Sequence, residues 1–426
     1  MKTIKSLLAA SIATAVLAPS LAMAGGAGDN DARIAALEAQ IAELKAMMSG
    51  QIQEQQVLAS RVETVSKSAK TGPGYDVKIG GYIKADLTWT KASNGDPNNV
   101  GFYFPTQIPV GADGSGESAA ADMTVAESRI NFSATRELDG HTLTFFTEMD
   151  FYGGGGNEIA TNSMNPRLRH AFIKYDNWLI GQTWSTFQDV SALAENLDFI
   201  GPAEGTTFVR QTQVRYTNGG LQLAIENTNT RLNNGGTATL TDDGAIPDIV
   251  AKYTFKGDYG HVAVAGIYRD LTWETATEEY SDTGLGISVS GKLNVGDSGD
   301  DFRFMFTTGS GVGRYLGITG TPGAVFNADS NDIEAIDSTG GFVSYRHLWN
   351  SQWRSNFTYS MQNVDNDVAL TGDGAIKDLN SIHVNLLYSP TPKVTFGAEY
   401  MTAERELESG LSGDLDRLQF SAKYAF

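Results

Sequence analysis

From Val77 onward, apolar and polar residues alternate one by one. Ile79, Gly81, Ile83, Ala85, Leu87 and Trp89 fall on one face, and Lys78, Tyr82, Lys84, Asp86 and Thr88 on the other. Successive side chains of a strand point to opposite sides, so this period of two predicts a strand with one apolar and one polar face. Leu143, Phe145, Thr147 and Met149 oppose Thr144, Phe146, Glu148 and Asp150 in the same way, and Phe302, Phe304 and Phe306 oppose Arg303 and Met305. Ser128, Ile130, Phe132 and Ala134 oppose Glu127, Arg129, Asn131 and Ser133. The last stretch sets Leu418, Phe420, Ala422, Tyr424 and Phe426 against Arg417, Gln419, Ser421 and Lys423. Strands with lipid outside and water inside require this alternation.

Short and long connections also alternate. Short turns are predicted at residues 138–140, 176–177, 218–220, 257–260, 296–299, 350–351 and 390–392. Polar loops are predicted over 90–124, 152–166, 186–206, 228–247, 271–283, 309–338, 362–379 and 402–414. Seven turns and eight loops make fifteen connections, hence about 16 antiparallel strands. An even number is expected of a closed all-β transmembrane barrel, with short turns on the periplasmic side. The weaker stretches 167–186 and 338–349 leave room for a bulge.

The first 76 residues follow other rules. Lys2 and Lys5 precede an apolar core over 6–17 and the small-residue site Ala22-Met23-Ala24, the layout of a cleaved signal peptide over 1–24. Ile34, Leu37, Ile41, Leu44, Met48, Leu58, Val62 and Val65 then recur at spacings of three and four, with Gln51 and Gln55 in the middle of the seam. A 3.5-residue period predicts a helical coiled coil over 25–70, and its Ile/Leu phase favours two strands. The same pattern also fits an amphipathic helix packed on the barrel. Thr71-Gly72-Pro73-Gly74 ends the helix and opens a hinge over 71–76, leaving 77–426 for the barrel.

Composition narrows the classes. Beyond the leader no apolar run is long enough for a transmembrane helix, so strands must do the crossing. Cysteine is absent from the 426 residues, which removes disulfides, thiolate metal sites and cysteine nucleophiles. The formal charge is -19, and loss of the leader with Lys2 and Lys5 takes it to -21, which argues against nucleic acid as a partner. No cofactor or metal is expected.

Arginines stand out on the polar faces. Lys84, Arg129, Arg169, Arg215, Arg303, Arg354 and Arg417 are predicted to point inward, and Arg167 shares a face with Arg169. Strict alternation turns Arg210 opposite to Arg215. Arginine facing lipid is costly, so Arg210 is placed at a loop edge, turned inward. The planar guanidinium suits carboxylates and stays charged, so the cluster points to selection of anions at a narrow lumen. The bland alternative pairs these arginines with Glu127, Glu148, Asp150 and Glu226 as bridges along the wall. Loop 186–206 carries Asp189, Glu195, Asp198 and Glu204 among apolar Val190, Leu193, Leu197, Phe199 and Ile200. It is predicted to fold into the lumen, apolar side on the wall and acids facing the arginines. An external loop used in subunit contacts is the other reading.

Several stretches carry a family resemblance. Arg167-Leu168-Arg169-His170-Ala171-Phe172, Leu179-Ile180-Gly181-Gln182-Thr183-Trp184-Ser185-Thr186-Phe187, Leu197-Asp198-Phe199 with Gly201-Pro202, Phe208-Val209-Arg210-Gln211 and Val214-Arg215-Tyr216 closely resemble the DcaP-type porins. Gly80-Gly81-Tyr82-Ile83-Lys84-Ala85-Asp86 and the heptads look like that family too. The specific match covers 77–217. The resemblance implies a homotrimer of 16-stranded barrels in the outer membrane of a Gram-negative bacterium. It further implies a periplasmic coiled-coil extension and passive uptake of small anionic solutes, notably dicarboxylates. The terminal Tyr424-Ala425-Phe426, with Phe426 last, resembles the signal read by the outer-membrane assembly machinery.

Three other functions compete. A sugar-type porin needs a continuous line of aromatic rings along one inner wall, and only Tyr82 and Phe146 are legible as inward. An outer-membrane hydrolase needs a Ser/His/acid set on neighbouring strands, and His383 beside Asn385 is the nearest approach to one. A structural tether would use the barrel as an anchor for the coiled coil. The expectation is a pore and not an enzyme.

Overall fold

A computed structural model of the chain describes residues 74–97, 101–111, 118–154, 156–157, 159 and 161–426. The expected leader, coiled coil and most of the hinge lie outside the described residues. In chain order the strands begin with β1 (Asp76–Ala92), β2 (Ser118–Thr124), β3 (Arg129–Leu138), β4 (His141–Asp150), β5 (Arg167–Tyr175), β6 (Trp178–Trp184) and β7 (Arg210–Asn218). They continue with β8 (Leu221–Glu226), β9 (Thr230–Asn234), β10 (Thr237–Thr241), β11 (Asp248–Gly257), β12 (Gly260–Glu274), β13 (Glu279–Val295) and β14 (Asp300–Ser310). The last are β15 (Ala324–Asn327), β16 (Asp332–Ala335), β17 (Asp337–Leu348), β18 (Trp353–Asp365), β19 (Ile376–Thr391), β20 (Val394–Leu407) and β21 (Ser412–Ala425).

Seventeen of these strands make one antiparallel sheet, and β1 pairs with β21 to close it. On its other side β1 pairs with β3 through Asp76–Tyr82 and with β2 through Asp86–Ala92. Strands β2 and β3 are therefore two pieces of one wall position, and the barrel has 16 strands. Closure gives each of the 16 wall positions a paired neighbour on both sides, which is what hydrocarbon demands of a backbone.

Alternation sorts the two faces as expected. Ile83, Leu87, Trp89, Ile287, Phe306, Phe357 and Phe420 are exposed on the outside, while Lys84, Asp86, Ser288, Met305 and Gln419 are buried inside. The break between β2 and β3 corrects one assignment. Ser128 does not face lipid: it is buried, and its Oγ accepts from Lys84 N at 3.1 Å and donates to Lys84 O at 3.3 Å. It replaces the ladder bonds that β1 loses where its partner is interrupted. Phe426 extends past β21 at the seam, its N–H donating to Gly81 O at 3.1 Å and its ring exposed.

All seven turns fall where the sequence placed them, but the loops expected over 271–283, 362–379 and 402–414 are shorter, the second because β18 runs to Asp365 and β19 starts at Ile376. Strands β12 and β13 run on to Glu274 and from Glu279, and β20 and β21 run to Leu407 and from Ser412. The segment 309–338 contains β15 and β16. Above the lipid no face needs to be apolar, so a strand there loses its alternation while keeping its hydrogen bonds. Strands β9, β10, β15 and β16 form a separate four-stranded sheet at the loop end, in which β15 and β9 run parallel. Leu232, Leu271, Ala324 and Ile333 make its core, with Trp273, Tyr280 and Phe326 packed against them.

Candidate functional site

Several of the chain's own loops enter the lumen. Residues 185–209 (loop 3) reach the inner faces of strands on opposite sides of the wall. Lys84 Nζ donates to Leu197 O at 2.6 Å, Arg303 Nη1 donates to Leu193 O at 2.7 Å, and Glu399 accepts from Leu197 N at 2.8 Å. Tyr103 and Ile108 of the first long loop bury against Ile200 and Ala203 of loop 3. Tyr315 of the segment 311–323 packs with Phe187 and Val209, and its hydroxyl donates to Asp248 at 2.6 Å.

All four acids of loop 3 are committed to the wall. Asp189 accepts from His261 at 2.8 Å and Ser290 at 3.1 Å. Glu195 takes Arg354 Nη2 at 2.6 Å, with Arg346 at 3.7 Å. Asp198 holds Tyr103 N at 2.7 Å and Arg417 at 3.3 Å. Glu204 is fully buried and bonds Ser381 Oγ. Lys84, also buried, pairs with Glu127 and with Asp86 at 3.1 Å. The geometry thus assigns Lys84, Asp198 and Glu204 to holding loop 3 in place, because a carboxylate taken out of water must be paired where it lies.

A band of arginines lies on β3, β5 and β7, with Arg129, Arg167 and Arg210 partly exposed and Arg169 buried among them. Asp150, with 0% exposure, accepts from Arg167 Nε at 2.9 Å and Nη2 at 2.7 Å, and from Arg169 Nη1 at 3.0 Å. Glu148 accepts from Arg169 Nε at 2.8 Å and lies 4.0 Å from Arg129. Arg210 makes no ion pair among the described residues, and its guanidinium sits 4.8 Å from the Trp184 ring centroid. It is turned toward the ring that Arg169 also covers at 5.6 Å, as its predicted inward setting requires. Phe199, from loop 3, is touched by Arg129, Arg167 and Arg169 at 5.5–5.6 Å, so one ring spaces three cations. Four arginines against two carboxylates leave this band at +2. Arg129 Nε and Arg210 Nη1 are buried donors with no acceptor among the described residues.

Two backbone irregularities assemble the band. Glu148 pairs with His170 while Met149 pairs with Leu168, so Arg169 is an extra residue in β5. This bulge lets Arg167, Arg169 and His170 all turn inward, where plain alternation would have sent His170 to lipid. His170 Nδ1 lies 3.0 Å from Thr183 Oγ1, and its ring meets Trp184. Gly81, at φ +147°, is the second: a Cβ there would stand 2.1 Å from Arg129 O, so only glycine lets β1 pass the start of β3 this closely. The bulge fell in a stretch whose weak alternation marked it; nothing in the pattern marked His170 itself.

Arg215 is not part of this band. It donates to Gln213 Oε1 at 2.9 Å and lines a separate cavity near the turn end. Of the acids weighed as bridges, Asp150 and Glu148 do pair with arginines. Glu127 pairs with Lys84, and Glu226 accepts instead from Thr186 N at 2.7 Å and Gln211 at 2.6 Å.

A Ser/His/acid set is present as well. Ser381 Oγ lies 3.1 Å from His383 Nε2, and His383 Nδ1 lies 3.5 Å from Glu399. Ser381, His383 and Glu399 are all at most 2% exposed, and Ser381 is also bonded to Glu204. Glu399 further accepts from Asp198 N at 3.3 Å and Asn385 at 2.9 Å. A nucleophile sealed beneath a loop meets no substrate, so the set serves as a clasp for loop 3.

A model of the DcaP outer membrane protein family matches residues 75–426. Among solved structures the chain is similar to the outer membrane channel DcaP of Acinetobacter baumannii, with a TM-score of 0.71 and 23% identity over 84% of this chain and 99% of that one. It is also similar to OmpF of Salmonella typhi, solved in complex with daunomycin, at a TM-score of 0.54 and 13% identity over 83% and 98%. The anion-selective porin from Comamonas acidovorans aligns at a TM-score of 0.52 and 11% identity over 83% and 100%. The comparison with curated proteins found no match.

Proposed function

The chain belongs to the DcaP outer membrane protein family, and from that premise we propose that it is a porin for passive diffusion of small anionic solutes, dicarboxylates among them. Family and fold point to an outer-membrane channel rather than an enzyme. The observation that carries anion preference is the pair of unaccepted guanidinium donors, Arg129 Nε and Arg210 Nη1, in a band of net charge +2. Guanidinium groups that no carboxylate fully offsets favour an anion over a cation at a narrow lumen. The formal charge of -19 acts weakly at that point, because water and salt screen it over about 8 Å.

The paired arginines have a second role. Arg167 and Arg169 hold Asp150 and so keep the wall together, while Arg129 and Arg210 are the ones with donors to spare. A sugar slide is disfavoured because the rings at this level face guanidinium groups: Phe199 meets three and Trp184 two. The test is the reversal potential in a KCl gradient for the wild type and for Arg129→Ala with Arg210→Ala. A wild-type preference for chloride that falls in the double variant supports the reading; a wild-type pore preferring potassium sinks it.

We further infer a homotrimer with lipid-facing strands such as β14 available to a neighbour, as the family resemblance implies. Light scattering of the protein in mild detergent checks this, and a monomer would refute it.

A further inference from the structure

A second basic cavity lies away from the arginine band. It has a volume of about 500 Å³ and is bounded by the start of loop 3 and by the inner faces of β7, β8, β11 and β12. The turn glycines Gly219, Gly220 and Gly260 form its rim, so it opens at the turn end. Arg215, Lys252, Lys256, His261 and Asp189 are its charged or titratable residues.

The charges there do not cancel. Asp189 is already engaged by His261 at 2.8 Å, Ser290 at 3.1 Å and Ser191 N at 3.1 Å. Lys252 Nζ donates to a backbone carbonyl, Gln188 O, at 2.9 Å and to no carboxylate. Arg215 donates to Gln213 Oε1 and to Trp184 O, again to no carboxylate. Glu226, the acid on β8, spends its oxygens on Thr186 N and Gln211. Those neutral donors leave the Glu226 charge in place near Arg215 and Lys252, so with His261 neutral Arg215, Lys252 and Lys256 face two acids, Asp189 and Glu226, a net +1.

A further residue points to a ligand. Gln188 lines the cavity at 1% exposure, and neither its Nε2 nor its Oε1 has a hydrogen-bond partner among the described residues. A buried amide left without partners costs free energy, and a native structure rarely tolerates it unless something else supplies the partner. An amide donor, a guanidinium and an ammonium around one small cavity are the groups that hold a carboxylate or phosphate oxyanion.

We propose that this cavity is a discrete binding site for small oxyanions at the turn end of the channel, held by Arg215, Lys252 and the Gln188 amide. It shares no charged residue with the arginine band, from which Trp184 separates it, and it stands whether or not that band selects anions. An anion leaving the band would dwell here before release, so the site makes the channel asymmetric toward oxyanions.

The experiment is block of single-channel chloride current by inorganic phosphate, with malonate in a parallel arm, added to one chamber and then to the other. The wild type should be blocked more strongly from one side, by phosphate, malonate or both; the stronger blocker identifies which oxyanion class fits. Lys252→Met should raise the half-blocking concentration about tenfold, the loss of one charge-assisted contact. Gln188→Glu, which sets a carboxylate beside Lys252, should do the same, and Lys252→Arg should restore block. Arg210→Ala tests the band separately through the reversal potential. Failure of both anions to block from either side, or equal block of wild type, Lys252→Met and Gln188→Glu, overturns the site.

Discussion

Removing an acid from the band should strengthen anion preference, and Asp150→Asn is the sharpest way to do it. Asp150 is fully buried and accepts three hydrogen bonds from Arg167 and Arg169. Asparagine keeps the shape and one acceptor oxygen while deleting the charge, so the band goes from +2 to +3. At roughly 6 Å in water one unit charge shifts an ion's energy by about 0.7 kcal/mol. Screening by salt reduces that to about 0.4 kcal/mol, close to a factor of two for each ion. Chloride gains and potassium loses, so the permeability ratio should rise about fourfold. Arg210→Ala takes the band to +1 and should lower the ratio by a similar factor. Reversal potentials in a tenfold KCl gradient read both shifts, and their opposite signs separate charge from mere disturbance of the wall. A ratio that falls in Asp150→Asn, or that moves in neither variant, would refute the reasoning and leave the arginines as wall bridges.

Other outcomes follow from the packing. Glu399→Ala removes the acceptor of Leu197 N and Asp198 N and the partner of His383, a loss of about 3 kcal/mol for a buried charged group; single-channel current should become larger and noisier, and unchanged current at unchanged thermal stability would show that loop 3 does not depend on it. A chain lacking residues 25–70 should fold and conduct as the full chain does, because among the described residues the barrel closes from strands that begin at Asp76; loss of conductance in a folded barrel would overturn that reading. At the turn end, Leu348 N, His347 and Tyr345 hold the Asp300 carboxyl below its ordinary range. A depressed carboxyl stabilises the fold above its unfolded pKa of about 3.9 and loses that effect as pH falls further. Unfolding temperatures of Asp300→Asn and wild type should therefore differ at pH 7 and converge in acid; a gap that persists at the lowest pH would contradict this.

The wall of this protein was legible from the sequence because its surroundings act on every residue in turn. Lipid on one side and water on the other set Ile83, Ala85 and Leu87 against Lys84 and Asp86, and the same rule returned along the chain until 16 strands and seven turns could be counted. Arg129, Arg167, Arg169 and Arg210 were legible for a related reason, since an arginine on a barrel strand has nowhere inexpensive to point but inward. The rule lapses where its cause does. Above the lipid, β12, β13, β20 and β21 continue without alternation and read as loops. Inside the barrel, partners are set by register and by loops that cross the lumen, and contacts such as Lys84 to Leu197 or Glu195 to Arg354 join residues more than a hundred positions apart. Which arginines are tied up by Asp150 and which keep free donors depends on one extra residue in β5, and the open cations of the turn-end cavity depend on where loop 3 lies. Alternation is a property of each strand by itself, whereas pairing inside the lumen exists only after the barrel has closed around its own loops.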